Sequence, residues 1–125
     1  MRRALHTWVP LVAWMCVIFV ASSQPELPYQ DETPDWLPHG FGYLVLALLA
    51  CHALGPGVGV GRRAAAAVFA FCLAYGVSDE WHQSFVPGRQ ADPWDVVKDG
   101  VGALGGLALY HAWSRRVAPG EVPLS

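Results

Sequence analysis

Four apolar stretches separated by short polar ones dominate this chain, at about 8–22, 37–54, 64–81 and 94–113. Each approaches the roughly 20 residues that an α-helix needs to cross the hydrocarbon core of a bilayer. Backbone groups in lipid must be satisfied within the segment, so the stretches are predicted to be helices. Strands are not expected, because runs such as Ala64–Ala67 lack β-branched alternation. The stretches are short for spans, which implies little tilt or some local thinning of the bilayer. The pattern predicts an all-α polytopic membrane protein. It would be an antiparallel bundle of four transmembrane helices in one domain over 1–117, followed by a disordered tail at 118–125.

Charge orients the bundle. Arg2/Arg3, Arg62/Arg63 and Arg115/Arg116 lie at the N-terminus, the second loop and the C-terminus. Four passes put all three on one side, which the positive-inside rule makes cytoplasmic, so N-in and C-in is expected. The opposite loops carry Glu26, Asp31, Glu32 and Asp35, then Asp79, Glu80, Asp92 and Asp95. Trp36, Trp81 and Trp94 would mark the outer interface and Trp8 and Trp113 the inner one, as aromatic belts do. The loop 23–36 is Pro-rich and acidic and reads as extended and extracytoplasmic. The first stretch, with Arg2/Arg3 before it and Ala21-Ser22-Ser23 after it, also has the form of a secretory signal peptide, either retained or cleaved.

Composition narrows the function classes. Of 125 residues, 54% are hydrophobic and only 14% charged, against roughly 25% charged in soluble domains. A net charge of −2 leaves no basic footprint for nucleic acid. Cys16, Cys51 and Cys72 all fall in apolar stretches without a CxxC, so small buried hydrophobes are expected rather than a zinc knuckle or a disulfide. The GPGVGVG turn at 55–61 is no phosphate loop, because no GK[ST] follows.

The candidate chemistry is concentrated in 79–95, DEWHQSFVPGRQADPWD. Polar clusters between membrane-like helices are costly and usually functional. Pro87-Gly88 is a type II turn signal. Asp92-Pro93 reads as an N-cap followed by proline at the first helical position. Asp95, Asp99, Gly102 and Gly106 then fall at steps of 4, 3 and 4 on one helix face. Gly102 and Gly106 form a GxxxG that lets a neighbouring helix approach, so this face turns two carboxylates inward. Lys98 either pairs with Asp95 or snorkels outward. Cys72, Tyr75, Asp79 and His82 share a face of the third helix, and Gly76, Glu80 and Gln83 share the next one. His39 and Tyr43 sit at the same depth in the second helix. The expected pocket therefore gathers His39, Tyr43, Asp79, Glu80, His82, Gln83, Arg89, Asp95 and Asp99. Either Arg89 forks onto one or two carboxylates and pins the loop, or the groups bind a ligand. Asp79, Glu80, Asp95 and Asp99 outnumber Arg89 and Lys98, so some stay protonated or a cationic ligand completes the site. His39, His82, Glu80 and Asp95 have the chemistry of divalent-metal ligands. The DExH spacing matches no metal motif, however, so neither a metal nor a cofactor is assigned. Ser78 and Ser84 beside His82 are too unspecific for a triad. His6, His52 and His111 fall in the cytoplasmic half, as caps or anchors.

These residues resemble the VanZ-like family of membrane proteins. Its signature is similar to DExHQxFxPGR, then an Asp six residues on, an Asn four further, and a Gly-rich helix. Asp79, Glu80, His82, Gln83, Phe85, Pro87, Gly88, Arg89, Asp95 and Gly102 match it. An Asp, a His four later and a following Tyr match Asp35, His39 and Tyr43. The likeness spans roughly 35–107. Asp99 stands where the family usually has Asn, and Trp36 where Lys often follows the Asp. The resemblance implies a bacterial cytoplasmic-membrane protein. Its founding members are linked to glycopeptide resistance, to teicoplanin more than vancomycin.

The expected function is therefore an extracytoplasmic polar site that binds a cell-envelope lipid-linked or lipoglycopeptide ligand, with membrane lipids as its surroundings. Arg89 would take a phosphate or carboxylate and the acids would take hydroxyls or amines. Two alternatives belong to other classes. One is an enzyme acting on a lipid headgroup, with Glu80 or His82 as general acid or base. The other is a structural partner of a second membrane protein, or a homo-oligomer, through the GxxxG face. Solute transport is disfavoured, because the polar residues do not continue to the cytoplasmic side.

Overall fold

The computed structural model describes residues 1–24, 36–55 and 60–117, and these form four α-helices with no strand among them. α1 spans Arg2–Ser22, α2 Trp36–Leu54, α3 Arg62–Gln83 and α4 Pro93–Val117. Each helix extends past its apolar stretch at one or both ends. Arg2/Arg3, Arg62/Arg63 and Arg115/Arg116 all join helices, as good helix formers do where water can reach them. The acidic loop 25–35 with Asp35, residues 56–59 and the tail 118–125 lie outside the described residues.

α2 is the central element. It packs on all three other helices and most extensively on α4, whereas α1 and α4 do not meet among the described residues. Its sequence explains the position. Tyr43, Leu46, Ala47, Ala50, Cys51 and Ala53 are buried along one broad face, while Leu37, Phe41 and Leu54 are exposed, and a helix that is apolar nearly all round can pack against several neighbours. The α2–α4 contact is set by the GxxxG. A Cβ on Gly102 would lie 2.2 Å from the Gly40 carbonyl oxygen, and one on Gly106 would lie 2.4 Å from that of Leu44. The two backbones touch where any side chain would hold them apart. At the far end the Tyr110 hydroxyl donates to the Gly55 carbonyl (2.8 Å) just past the end of α2.

α1 is bonded into the bundle. Trp14 Nε1 donates to Gly42 O (2.8 Å) and the Tyr75 hydroxyl donates to Met15 O (2.6 Å). These bonds tie α1 to α2 and α3. They also leave one face of α1 turned away from the bundle. Cys16 lies exposed there, unlike Cys51 and Cys72, which are buried as expected; all three are free thiols.

The interhelical contacts make the bundle antiparallel. The C-terminal ends of α1 and α3 meet the N-terminal ends of α2 and α4 at one pole, and the arginine pairs lie at the other. α1 and α2 are long and apolar enough to cross a membrane. α3 and α4 carry the polar residues that build the site.

Candidate functional site

The site grows from the α3–α4 connection. α3 unwinds through turns from Ser84, Phe85 and Val86 back to the last helical carbonyls. Arg89 N–H then closes on Val86 O (3.2 Å) across Pro87-Gly88. Gly88 takes φ 81°, which a type II turn requires of its third residue and which glycine adopts without strain. Asp92 starts α4 as expected, its Oδ1 accepting the Trp94 N–H (3.0 Å). The Asp92 N–H in turn donates to Glu80 Oε2 (2.9 Å). One aspartate thus caps α4 and fixes a carboxylate of α3.

Around this clasp the expected residues divide into two groups. The first lies between α2, α3 and α4. His39 donates Nδ1–H to Asp99 Oδ1 (2.9 Å), and its Nε2 faces Asp95 Oδ2 at 3.6 Å. Lys98 pairs with Asp95 Oδ1 at 3.1 Å instead of snorkelling. Glu80 joins them: His39, Glu80 and Asp95 each place one ligand-type atom within 4.8 Å of those of the other two. Asp99 is completely buried. Gly76 makes the room for it, since a Cβ there would meet Asp99 Oδ2 at 2.9 Å. Three polar atoms in this region are buried without a hydrogen-bond partner: Tyr43 Oη, Glu80 Oε1 and Asp99 Oδ2. Tyr43 is 2% exposed and lies where the charges of Asp99 and Asp79 both act on it. Gln83 is buried one turn beyond Glu80, on the same face of α3.

The second group faces α1. The Ser22 hydroxyl bonds Asp79 Oδ1. The Ser23 hydroxyl meets His82 Nε2 at 2.9 Å, and Phe19 stacks on the His82 ring with centroids 4.3 Å apart. The shared face of Tyr75, Asp79 and His82 is therefore the α1 contact. Arg89 does not fork onto the acids. Among the described residues its guanidinium reaches the Gln24 carbonyl (3.3 Å) and influences Asp79 only through space. The reason is reach. Arg89 leaves a turn that projects past the end of α3, while the carboxylates are packed below it.

The sequence pattern did not single out Ser22 and Ser23, or the part played by Gly76. Their signal was helical phase. Two hydroxyls at the polar end of α1 need acceptors, and a glycine one turn below Glu80 and facing α4 leaves space for an acid. Ser78 and Ser84 bond carbonyls of their own helix, Tyr75 O and Trp81 O, so neither serves His82.

Chemically, the first group offers a histidine, three carboxylates, a lysine, an amide and a phenol in a largely buried cluster at one pole. It suits cations, amines and hydroxyl-rich groups better than anions. No curated protein and no solved structure matches the chain. A family model described as VanZ/LLP1 matches residues 7–114. That span runs from the first turns of α1 to the last turns of α4 and takes in every residue of the site, and the chain belongs to the VanZ/LLP1 family.

Proposed function

We propose that this protein crosses the bacterial cytoplasmic membrane four times, N-in and C-in, and presents the polar pole outward to bind a cell-envelope amphiphile. The ligand class is a lipid-linked headgroup or an acylated glycopeptide of the teicoplanin type. One observation carries the reading: the polar pole is built inside out. Asp79, Glu80, Gln83, Asp95 and Asp99 are buried, while Val77, Trp81, Val97, Val101 and Leu104 on the same helices are exposed. In water, so much exposed apolar surface would be an association liability. In a bilayer it is the ordinary outer surface, and it extends the membrane reading from α1 and α2 to α3 and α4. A headgroup entering between helices would meet Tyr43, Glu80 and Asp99, whose unpartnered atoms supply hydrogen-bonding capacity. Arg89, at the rim, would take a phosphate or carboxylate.

Topology is tested by cysteine labelling in intact cells. With Cys16, Cys51 and Cys72 replaced by alanine, Gln90→Cys should react with an impermeant maleimide and Gly61→Cys should not. The reverse pattern, or equal labelling, contradicts an outward-facing pole. Binding is tested by expressing the protein in a sensitive Gram-positive host, with Glu80→Ala and Arg89→Ala variants at matched membrane abundance. Teicoplanin protection that both variants lose supports an envelope-facing site. Equal protection by the variants would reduce the pole to scaffolding.

A further inference from the structure

We infer that His39, Glu80 and Asp95 form a binding site for a divalent metal ion of the zinc or manganese class, with Asp99 as the group that orients His39. The three ligands come from α2, α3 and α4, and their ligand-type atoms lie within 4.8 Å of one another. Two ligands each about 2.1 Å from one tetrahedral ion sit about 3.4 Å apart. His39 Nε2 and Asp95 Oδ2 already stand at 3.6 Å. That is too long for a good hydrogen bond and close to the spacing of two ligands on one ion. Glu80 lies within 4.8 Å of both, so sharing one ion asks it to close by at most about 1.4 Å.

A cluster of acids alone would not make a site. Here the two ends of each ligand are differentiated. His39 gives Nδ1 to Asp99 at 2.9 Å, which turns Nε2 toward Asp95. Glu80 gives Oε2 to the Asp92 N–H at 2.9 Å, and its Oε1 is buried with no partner although the residue is only 7% exposed. Asp95 gives Oδ1 to Lys98 at 3.1 Å and presents Oδ2 to His39. His39 and Asp95 therefore each have one atom held by a neighbour and the other facing the opposite ligand, and Glu80 has one oxygen held and one buried without a partner. Metal-binding histidines and carboxylates are oriented in this way by their outer partners. The carboxylate–histidine pair of Asp99 and His39 is the strongest element, because Asp99 is fully buried and can act on nothing but its neighbours. Mixed nitrogen and oxygen donors suit zinc or manganese better than magnesium or a soft monovalent ion. With three protein ligands, a zinc ion would keep a position open for water or for a headgroup oxygen. His82 is not a ligand, since Ser23 and Phe19 hold it against α1.

The ion site uses the same pole as the proposed envelope ligand but does not depend on it. Its test therefore contains no amphiphile, and either idea can fail alone. Full-length protein in detergent micelles is stripped with a chelator and titrated separately with zinc and manganese, and bound metal is counted after gel filtration. One ion of zinc or manganese per chain is expected. Asp99→Asn should weaken binding about tenfold, the lower end for an outer-shell change. His39→Ala and the isosteric Glu80→Gln should weaken it by more than about 100-fold, the upper end of that range. His82→Ala should bind as the parent does. Cobalt added to the stripped parent should give visible absorption bands that are absent in Glu80→Gln, which settles the matter if His39→Ala does not fold. Substoichiometric binding of both ions, undiminished binding by Glu80→Gln, or dependence on His82 would each overturn the inference.

Discussion

The α2–α4 seam joins two halves of opposite character. Toward the arginine pole it is made of small residues. Gly102 and Gly106 lie against the backbone of Gly40 and Leu44, and Ala47 and Ala103 are fully buried between them. Toward the other pole it is made of His39, Asp95 and Asp99, with polar atoms left unpartnered close by. The first half has contact without chemistry, and the second has chemistry at the expense of contact. The difference teaches how a small membrane protein can keep a costly site. In the proposed four-span arrangement there is little hydrophobic driving force between helices in lipid, so close packing of small residues would supply the association. The glycine half fixes the helix separation. That separation in turn brings a histidine of α2 within 2.9 Å of an aspartate of α4.

The largest break in this division of labour is Gly102→Ala. Its added Cβ would stand 2.2 Å from the Gly40 carbonyl oxygen, which is backbone and cannot rotate away. A loss of about 3 kcal/mol is expected, at the upper end of overpacking costs. It should appear as a shifted midpoint in SDS unfolding of the micellar protein, followed by tryptophan fluorescence. Gly42→Ala is the control. A Cβ there meets nothing within 4 Å, so its midpoint should move by no more than about 1 kcal/mol, the helix-propensity difference between the two residues. Equal effects at the two positions would mean that close approach does not hold the seam.

A smaller perturbation sits where α3 meets the polar half. Gly76→Ala would put a Cβ 2.9 Å from Asp99 Oδ2. Asp99 is a side chain and can give way, but only by disturbing its bond to His39. A destabilisation of about 1–2 kcal/mol is expected, together with weaker metal binding by the stripped protein. Destabilisation with unchanged metal binding would uncouple Asp99 from the orientation of His39.

Most of the architecture was legible in the sequence because it rests on two periodicities. Four apolar stretches gave the helices, and the phase of Asp95, Asp99, Gly102 and Gly106 gave the α4 face that turns inward. Asp92-Pro93 and Pro87-Gly88 gave the loop, since caps and turns are local chemistry. What stayed hidden depends on rotation of one helix against another. Asp79 and Glu80 are adjacent in sequence, yet one faces Ser22 of α1 and the other the N–H of Asp92. His82 fits the same consecutive motif as Glu80, yet it leaves the acidic group for Ser23 and Phe19. A linear motif cannot show that its own residues serve two different interfaces. The convergence of residues 39, 80 and 95 has no spacing signature at all, because the three lie on separate helices.

The smallest expected effect has the most telling sign. Tyr43 is 2% exposed and its hydroxyl has no hydrogen-bond partner. A buried unsatisfied polar group costs about 1–3 kcal/mol, whereas an apolar isostere of the same shape costs little. Tyr43→Phe keeps the ring that packs near Tyr75, with centroids 6.3 Å apart, and removes only the orphan oxygen. The variant should therefore be more stable than the parent by about 1 kcal/mol in the same SDS titration, the lower end of that range. If the hydroxyl is kept for a ligand, the stabilised variant should also protect cells less against teicoplanin at equal abundance. Greater stability with undiminished protection would mean that the oxygen plays no part in ligand binding. Lower stability would mean that the hydroxyl has a partner, such as a bound water, that supports the fold. The opposed signs for Gly102→Ala and Tyr43→Phe then test whether stability is concentrated in one half of the bundle and function in the other.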